Sequence, residues 1–264
     1  MKRSTKRRLR HLALYVVLLA VVLALVLSLD WTKVQETFFN AEGFKHNWHD
    51  LIVIGLKNTV IYTVIAFAAG LVLAVLLALM KLSEVGLYRW LSTAYIEFFR
   101  GLPALVTILG MGFGFPIATG WHPPGGVLGA GLIGLVLVAG AYMAETIRAG
   151  IQAVPKGQTE ASRSLGMSSG RTMTFVVLPQ AFRIIIPPLT NELVLLIKDT
   201  SLLAFIGATF GSRELLNVAR DMLTSGPSAG TSTSLTMVAI CYLVVTLPLT
   251  QLVAWMERKQ RRAR

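Results

Sequence analysis

Long apolar runs, separated by short polar segments, dominate the pattern of hydrophobic and polar positions along the chain. A helix needs about 20 predominantly apolar residues to cross a bilayer. The third apolar run is short, and we expect it to continue backwards into the amphipathic segment Tyr88–Phe99, which suits a membrane interface. The pattern predicts an all-α, polytopic membrane protein with six transmembrane helices, at about Leu12–Leu29, Asn58–Met80, Leu102–Ile117, Val127–Ala149, Pro187–Gly207 and Leu235–Met256.

The composition supports a membrane protein. Only 14% of the 264 residues are charged, 54% are hydrophobic and the mean hydropathy is +0.65. Soluble domains carry about 25% charged residues, so the composition argues against a water-soluble globule. The first run follows a basic tail, as in a signal peptide, but it exceeds the roughly 7–15 apolar residues of a signal-peptide core and lacks a convincing cleavage site. We interpret it as an uncleaved helix.

The basic residues are distributed unequally between the two sides of the predicted membrane. Of the 25 lysines and arginines, 19 fall in the N-terminal tail, the segments Lys81–Arg100 and Glu145–Arg183, and the C-terminal tail. Five fall in the connections on the opposite side of the predicted membrane, and Lys198 lies within an apolar run. Lysine and arginine are retained on the cytoplasmic side, so both termini are predicted to be cytoplasmic. Topology then explains the net charge of +12, and no nucleic-acid partner is expected.

The longest predicted cytoplasmic connection, Gly150–Arg183, contains two helical patterns. A short helix is predicted at about Gln158–Leu165, and Gly166 can adopt the left-handed conformation that ends a helix. A second helix is predicted to begin at Ser168–Ser169, where a serine can act as N-cap, and to end before Leu178-Pro179 interrupts the chain. Two such helices form a rigid knob suited to docking on a soluble partner. The alternative is a solvated loop with helical content by chance.

A family resemblance bears on this choice. Glu160-Ala161-Ser162, Gly166 four residues later and Leu178-Pro179 beyond it resemble the EAA loop of importer-type ABC transporter permeases, with Ser162 in place of the second alanine. In that family the loop supplies a coupling helix that sits in a groove of the ATPase subunit. The resemblance implies an ATPase-coupling role for Gln158, Glu160, Ala161, Ser162, Leu165, Gly166 and Met167.

Further motifs occur in the matching order. They resemble the polar amino acid subfamily of these permeases (histidine, glutamine, arginine, glutamate and opines), from about residue 55 to the C-terminus: Asn58-Thr59, Tyr95-Ile96-Glu97-Phe98-Phe99-Arg100-Gly101-Leu102-Pro103, Ala141-Tyr142, Ala144-Glu145, Arg148, Gly150-Ile151, Val154-Pro155-Lys156-Gly157-Gln158 and Leu196-Ile197-Lys198-Asp199-Thr200-Ser201-Leu202. We therefore divide the chain into an added N-terminal part, 1–57 (tail, extra helix and outer loop), and a permease core, 58–264, with the coupling loop at about 150–183.

The resemblance implies a permease subunit of an ATP-driven importer for polar amino acids in the bacterial plasma (inner) membrane. Its implied partners are an ATP-binding cassette ATPase dimer, a second permease copy or a homologous permease, and an extracytoplasmic solute-binding protein. The sequence has no Gly-x-x-x-x-Gly-Lys-Ser/Thr motif, so ATP and Mg²⁺ are expected on the partner ATPase, with no enzyme activity or cofactor in this chain. His46 and His49 are too few ligands for a closed metal site. The alternative is a secondary transporter or channel driven by an ion gradient.

Ionisable residues within the apolar runs are the candidates for a substrate pathway, because they are costly in a membrane and usually face a wet cavity or a partner. Glu192 and Asp199 are seven residues apart and share one helix face, and Asn191 and Lys198 share the adjacent face. Lys198 is suited to a substrate carboxylate, and Asp199 or Glu192 to an ammonium group. The alternative is that these residues bond one another or cap a helix interrupted by Pro187-Pro188.

Other polar residues are weaker candidates. Thr200, Ser201 and Thr59 complete the candidate pathway, although a helix cap at the outer interface is the simpler expectation for Asn58 and Thr59. Glu145 and Arg148 are three residues apart on the fourth helix, so an intrahelical ion pair explains them. A cytoplasmic gate contact is the alternative for that pair.

Overall fold

The computed structural model describes residues 3–121 and 123–262, and these residues contain helices and turns but no strand. Three π-helical turns (Leu51–Leu56, Gly110–Gly114, Met173–Val177) and two 3-10 turns (Thr200–Phe205, Phe210–Ser212) join helices or connect to them. The α-helices are α1 (Arg3–Ser28), α2 (Trp31–Phe38), α3 (Ala41–His46), α4 (Trp48–Asp50), α5 (Lys57–Leu82), α6 (Gly86–Gly101), α7 (Ala104–Leu109), α8 (Phe115–Thr119), α9 (Gly126–Gln152), α10 (Lys156–Ser164), α11 (Ser169–Thr172), α12 (Leu178–Asp199), α13 (Leu215–Thr224) and α14 (Thr233–Arg262).

Helical segments long and apolar enough to cross a membrane correspond to the predicted runs. In the described part of the chain they are Arg10–Ser28, Trp48–Leu82, Gly126–Gln152, Ser169–Phe205 and Thr233–Gln260, with the bent pair α6 and α7–α8 as a sixth candidate. The second begins at Trp48 and passes through a π-turn, so Asn58 and Thr59 lie inside a continuous helix. The expectation that these two residues cap a helix is therefore wrong.

The third run does continue backwards, but through a bend. Helix α6 and the helical segment Ala104–Thr119 meet at 105° across a break of two residues, Leu102 and Pro103. Pro103 disfavours the helical conformation of the residue before it, and Leu102 is extended, with φ −95° and ψ 142°. The amphipathic half thus turns away from the apolar half instead of extending it.

Two proline-based expectations are wrong. The chain is not interrupted at Leu178-Pro179, because the π-turn Met173–Val177 leads directly into α12 and Pro179 directly follows this local departure from α-helical bonding. Nor does Pro187-Pro188 break α12, which runs through both prolines. The Arg183 carbonyl, four residues before Pro187, accepts a hydrogen bond from the Gln260 side chain of α14. Replacement partners of this kind allow proline within packed membrane helices.

Small residues bring the central helices α5 and α9 close together. A Cβ atom added at Gly70 would lie 2.8 Å from Met143, and one added at Gly140 would lie 2.8 Å from Leu73. The core below them includes Ala74, Ala78 and Ala144, which are completely buried. In contrast, no residue of the apolar window of α1 is buried. The largest buried cluster therefore forms around α5, α9 and α12, and α9 and α12 also line the candidate cavity.

Candidate functional site

The candidate coupling loop contains the two predicted short helices. Helix α10 begins at Lys156, after Pro155, and ends at Ser164, close to the predicted bounds. Gly166 then adopts φ +84°, and the amide of Met167 donates to the carbonyl of Ser162 at 3.1 Å. This is the glycine-terminated helix end that the sequence predicted.

The two short helices pack against each other through hydroxyl groups. Ser168 caps α11 by accepting a hydrogen bond from the amide of Arg171. The hydroxyl of Ser162 lies 2.9 Å from the carbonyl of Thr159 and 3.2 Å from the hydroxyl of Thr172. Ser162 and Thr172 are both buried. Serine at the position of the motif's second alanine therefore bonds α10 to α11.

The opposite face of the coupling loop is open to solvent. Leu165 directly follows α10 and is 85% exposed. Most of the predicted coupling residues share this exposure: Gln158, Glu160, Ala161, Leu165 and Gly166 are exposed, Met167 is half-buried, and only Ser162 is buried. The structure thus brings these residues together on one knob with an exposed apolar tip.

A cavity of about 230 Å³ lies between α7, α9 and α12. Its acidic lining residues are Glu192 and Asp199, which share one face of α12 as predicted. Asn191 and Lys198 lie on the adjacent, exposed face and do not line this cavity. The apolar lining includes Leu102, Leu135, Val138, Met143 and Leu195.

The remaining candidate pathway residues also lie outside this lining. The hydroxyl of Thr200 donates to the carbonyl of Ile197 at 2.7 Å, and that of Ser201 donates to the carbonyl of Lys198 at 2.6 Å. They satisfy carbonyl groups at the end of α12, where α-helical bonding stops. Thr59 is almost completely buried and accepts a hydrogen bond from the amide of Leu215 at 3.1 Å.

Glu145 and Arg148 form the predicted ion pair on α9, with two hydrogen bonds from the guanidinium to the carboxylate. The structure adds Lys81 of α5, whose Nζ lies 3.1 Å from Glu145 and 3.9 Å from Glu97 of α6. The ion pair therefore belongs to a network of charges that links three helices. Among the described residues, no group of three or more His, Cys, Asp or Glu side chains is arranged to hold a metal ion.

Comparison with known proteins identifies the chain. Residues 70–262 match the model of the binding-protein-dependent transport system inner membrane component. The chain belongs to this family. It is 36% identical over 210 residues to the probable glutamine ABC transporter permease protein GlnM of Bacillus subtilis, covering 78% of this chain and 91% of that protein. It is 33% identical over 213 residues to the arginine transport system permease protein ArtQ of the same organism, covering 79% and 91%.

Solved structures agree with this assignment and confirm the resemblance to ABC transporter permeases. A chain from the crystal structure of an amino acid ABC transporter with histidines matches this permease with a TM-score of 0.71 at 33% identity, covering 80% of this chain and 94% of that one. A chain of the MetNI methionine ABC transporter in an inward-facing conformation matches with a TM-score of 0.60 at 20% identity, which shows the shared fold.

The permease also contains pathway candidates that sequence reasoning missed. Tyr142 lines the cavity, and the Arg100 guanidinium carbon lies 5.4 Å from the centroid of its ring. Arg100 is close enough to attract the Glu192 carboxylate, whereas Asp199 repels it. Both residues lie within motifs noted in the sequence. Arg100 is itself exposed and does not line the cavity, but it lies at the end of α6, just before the 105° bend, and contacts Tyr142 of α9.

Proposed function

We propose that this permease is the transmembrane subunit of an ATP-driven importer for polar amino acids. It forms part of the translocation pathway and couples to a separate ATPase through the coupling loop, residues 150–183. The observation that carries the proposal is the exposed knob of α10 and α11 on a chain of this family. Relatives named for glutamine and arginine transport support the substrate class.

The proposed assembly places both termini and the coupling loop in the cytoplasm of a bacterial cell, with the helices in its inner membrane. Two permease subunits, identical or homologous, surround the pathway, and an ATPase dimer binds ATP and Mg²⁺ below them. An extracytoplasmic solute-binding protein delivers the amino acid from the other side. The permease itself catalyses no reaction, and its coupling residues transmit movement from the ATPase.

Coupling follows from how the knob is built. The hydroxyl contact between Ser162 and Thr172 and the turn at Gly166 keep α10 in a fixed orientation relative to α11. Helix α11 is continuous with α12 through the π-turn. A displacement of α10 by a docked ATPase therefore moves α12, which carries two of the acidic groups of the cavity.

The cavity is the proposed site along the pathway where an amino acid is held. Glu192 and Asp199 are acceptors for an ammonium group or a cationic side chain. Arg100, which contacts the cavity-lining Tyr142, is the donor for the carboxylate, in preference to Lys198, which lies on the adjacent face of α12. The other candidate pathway residues lie outside the cavity lining: Asn191, Thr200, Ser201 and Thr59. Glu145 and Arg148 remain candidates for a gate near the cytoplasmic end of α9.

The coupling proposal is tested by Glu160→Ala and Gly166→Ala in the complex with its ATPase. Both substitutions are expected to lower substrate-stimulated ATP hydrolysis and uptake while leaving the thermal unfolding of the membrane helices unchanged. Glu84→Ala is a matched control, because Glu84 is exposed in another connection predicted to be cytoplasmic. Normal uptake and normal ATPase stimulation in both coupling variants would contradict the proposal.

A secondary transporter or channel is the second candidate, because Glu192 and Asp199 are acidic groups at membrane depth, as in ion relays. Co-purification separates the two candidates. The importer requires a bound ATPase and shows no uptake without ATP. Uptake driven by an ion gradient in ATP-free vesicles would favour the second candidate instead.

A further inference from the structure

The connection between the 3-10 turn Thr200–Phe205 and α14 is attached to the long helices α5 and α14 by side-chain hydrogen bonds. Three polar residues near the start of α5 hold the backbone of this connection with hydrogen bonds of 2.7 to 3.1 Å: Asn58 donates to the carbonyls of Gly211 and Arg213, Tyr62 donates to the carbonyl of Ser212, and Thr59 accepts from the amide of Leu215. The start of α13 is therefore anchored on α5.

Glu214 lies at the centre of this contact and is completely buried. Its carboxylate accepts hydrogen bonds from the amides of Leu216 at 2.8 Å and Asn217 at 2.7 Å, so it caps the N-terminus of α13. The hydroxyl of Tyr242 on α14 donates to the same carboxylate at 3.3 Å. One carboxyl group thus joins α13 to α14 beside its anchor on α5.

This contact reaches towards the cavity. The hydroxyl of Tyr242 also faces the side chain of Thr200, which directly follows the cavity residue Asp199. From the other side, Asn217 and Arg220 of α13 donate to the carbonyl of Ala204 in the same 3-10 turn. Movement of α13 therefore changes the packing around the end of α12.

We propose that Glu214 is a positioning residue that holds α13 against α14 beside the anchor on α5, and that its proton occupancy sets how readily α13 opens at this end of the pathway. The link to transport rests on the proposed function. The opening of α13 itself depends only on the contacts described above.

The sign of the pH dependence follows from burial. Burial raises the pKa of Glu214 from its ordinary 4.5 to about 7, against the opposing effects of its hydrogen-bond donors and the Arg220 charge. The closed arrangement, in which Glu214 is buried, is therefore favoured at low pH, where the carboxyl is protonated. This stabilisation of the closed arrangement is lost as the pH rises through about 7. The other titratable or charged groups around this contact are Arg220, Tyr62, Tyr242 and Cys241, with Arg213 and Asp221 in an ion pair of their own.

Cys241 provides a native reporter of opening. It is the single cysteine of the chain, it is buried, and it packs in one cluster with Leu215 and Val218 of α13. The full-length permease in lipid nanodiscs is labelled with a small methanethiosulfonate reagent at about pH 5.5 and about pH 8. The rate for the wild-type protein is divided by the rate for Glu214→Gln, which mimics the protonated carboxyl. This ratio cancels the intrinsic pH dependence of the thiol.

The ratio of labelling rates is expected to rise by about 30-fold from the lower to the higher pH, because Glu214 of the wild-type protein loses its proton and α13 opens more readily. Glu42→Gln is the matched control, because Glu42 is a largely exposed acid elsewhere in the chain and this variant should follow the wild-type protein. A ratio independent of pH would overturn the proposal.

A second variant keeps the test decisive if Glu214→Gln does not fold. Tyr242→Phe removes one hydrogen-bond donor from the Glu214 carboxylate and preserves the aromatic ring. The pKa of Glu214 should rise, so the pH at which the labelling of Cys241 becomes faster should move upwards. An unchanged midpoint would overturn the role of Glu214. If labelling depends on pH as expected but uptake by the ATPase-bound transporter does not, the link to transport is overturned while the proposed importer function stands.

Discussion

The charge network around Glu145 gives the most specific stability prediction. Glu145, Lys81 and Arg148 have side chains that are 23%, 16% and 24% exposed. Glu145→Gln leaves the two cations close together, with only Glu97 at 3.9 Å from Lys81 as a counter-charge. Breaking a fully buried ion pair from one side costs about 3–5 kcal/mol. Because these groups retain some contact with solvent, we expect a loss of about 2 kcal/mol in the free energy of unfolding.

A double-mutant cycle separates the ion pair from other effects of the substitution. The unfolding of wild-type permease, Glu145→Gln, Lys81→Met and the double variant is measured by titration with a denaturing detergent in mixed micelles. The double variant should be less destabilised than the sum of the two single variants, with a coupling free energy of about 1 kcal/mol. If Glu145→Gln changes the unfolding free energy by less than about 0.5 kcal/mol, as at an ordinary surface position, the network has no stabilising role.

Two further predictions concern close packing and the anchor of α13. A Cβ atom at Gly150 would lie 2.2 Å from Cγ1 of Ile185, so Gly150→Ala should destabilise the protein by about 1–3 kcal/mol. Thermal unfolding in detergent measures this, and an unchanged midpoint would show that α9 and α12 separate easily. Thr59→Val removes the acceptor of the Leu215 amide and leaves a buried N–H unpaired, at a cost of about 1–3 kcal/mol. Faster proteolysis of the connection before α13 is expected, and a wild-type cleavage rate would refute the anchoring role.

Sequence patterns predicted the long apolar helices because length and hydropathy are local properties, although the second segment begins at Trp48 instead of Asn58 and the fifth at Ser169 instead of Pro187. The helix end at Gly166 and the ion pair between Glu145 and Arg148 were also predictable, since each depends on residues only a few positions apart. Helix α12 differed from expectation for a non-local reason. The partner that satisfies the Arg183 carbonyl, freed by Pro187, comes from Gln260 on another helix.

The candidate site was predictable only in part. Spacing alone placed Glu192 and Asp199 on one face, and the structure confirms this. Arg100 was missed because its position depends on the bend at Leu102 and Pro103. Glu214 was missed because nothing in its surroundings marks it as buried. Its backbone donors lie in the first turn of α13, but the side chain that donates to it, Tyr242, comes from α14.

The unbroken path from α11 through the π-turn to α12 has a mechanical consequence. From Ser169 to Asp199 the chain is continuously helical, over a path of roughly 45 Å at the rise of an α-helix. A tilt of about 5° at its Ser169 end would carry the far end sideways by roughly 4 Å. In the proposed importer, a small rotation of the bound ATPase would thereby become a displacement as wide as the backbone of an amino acid.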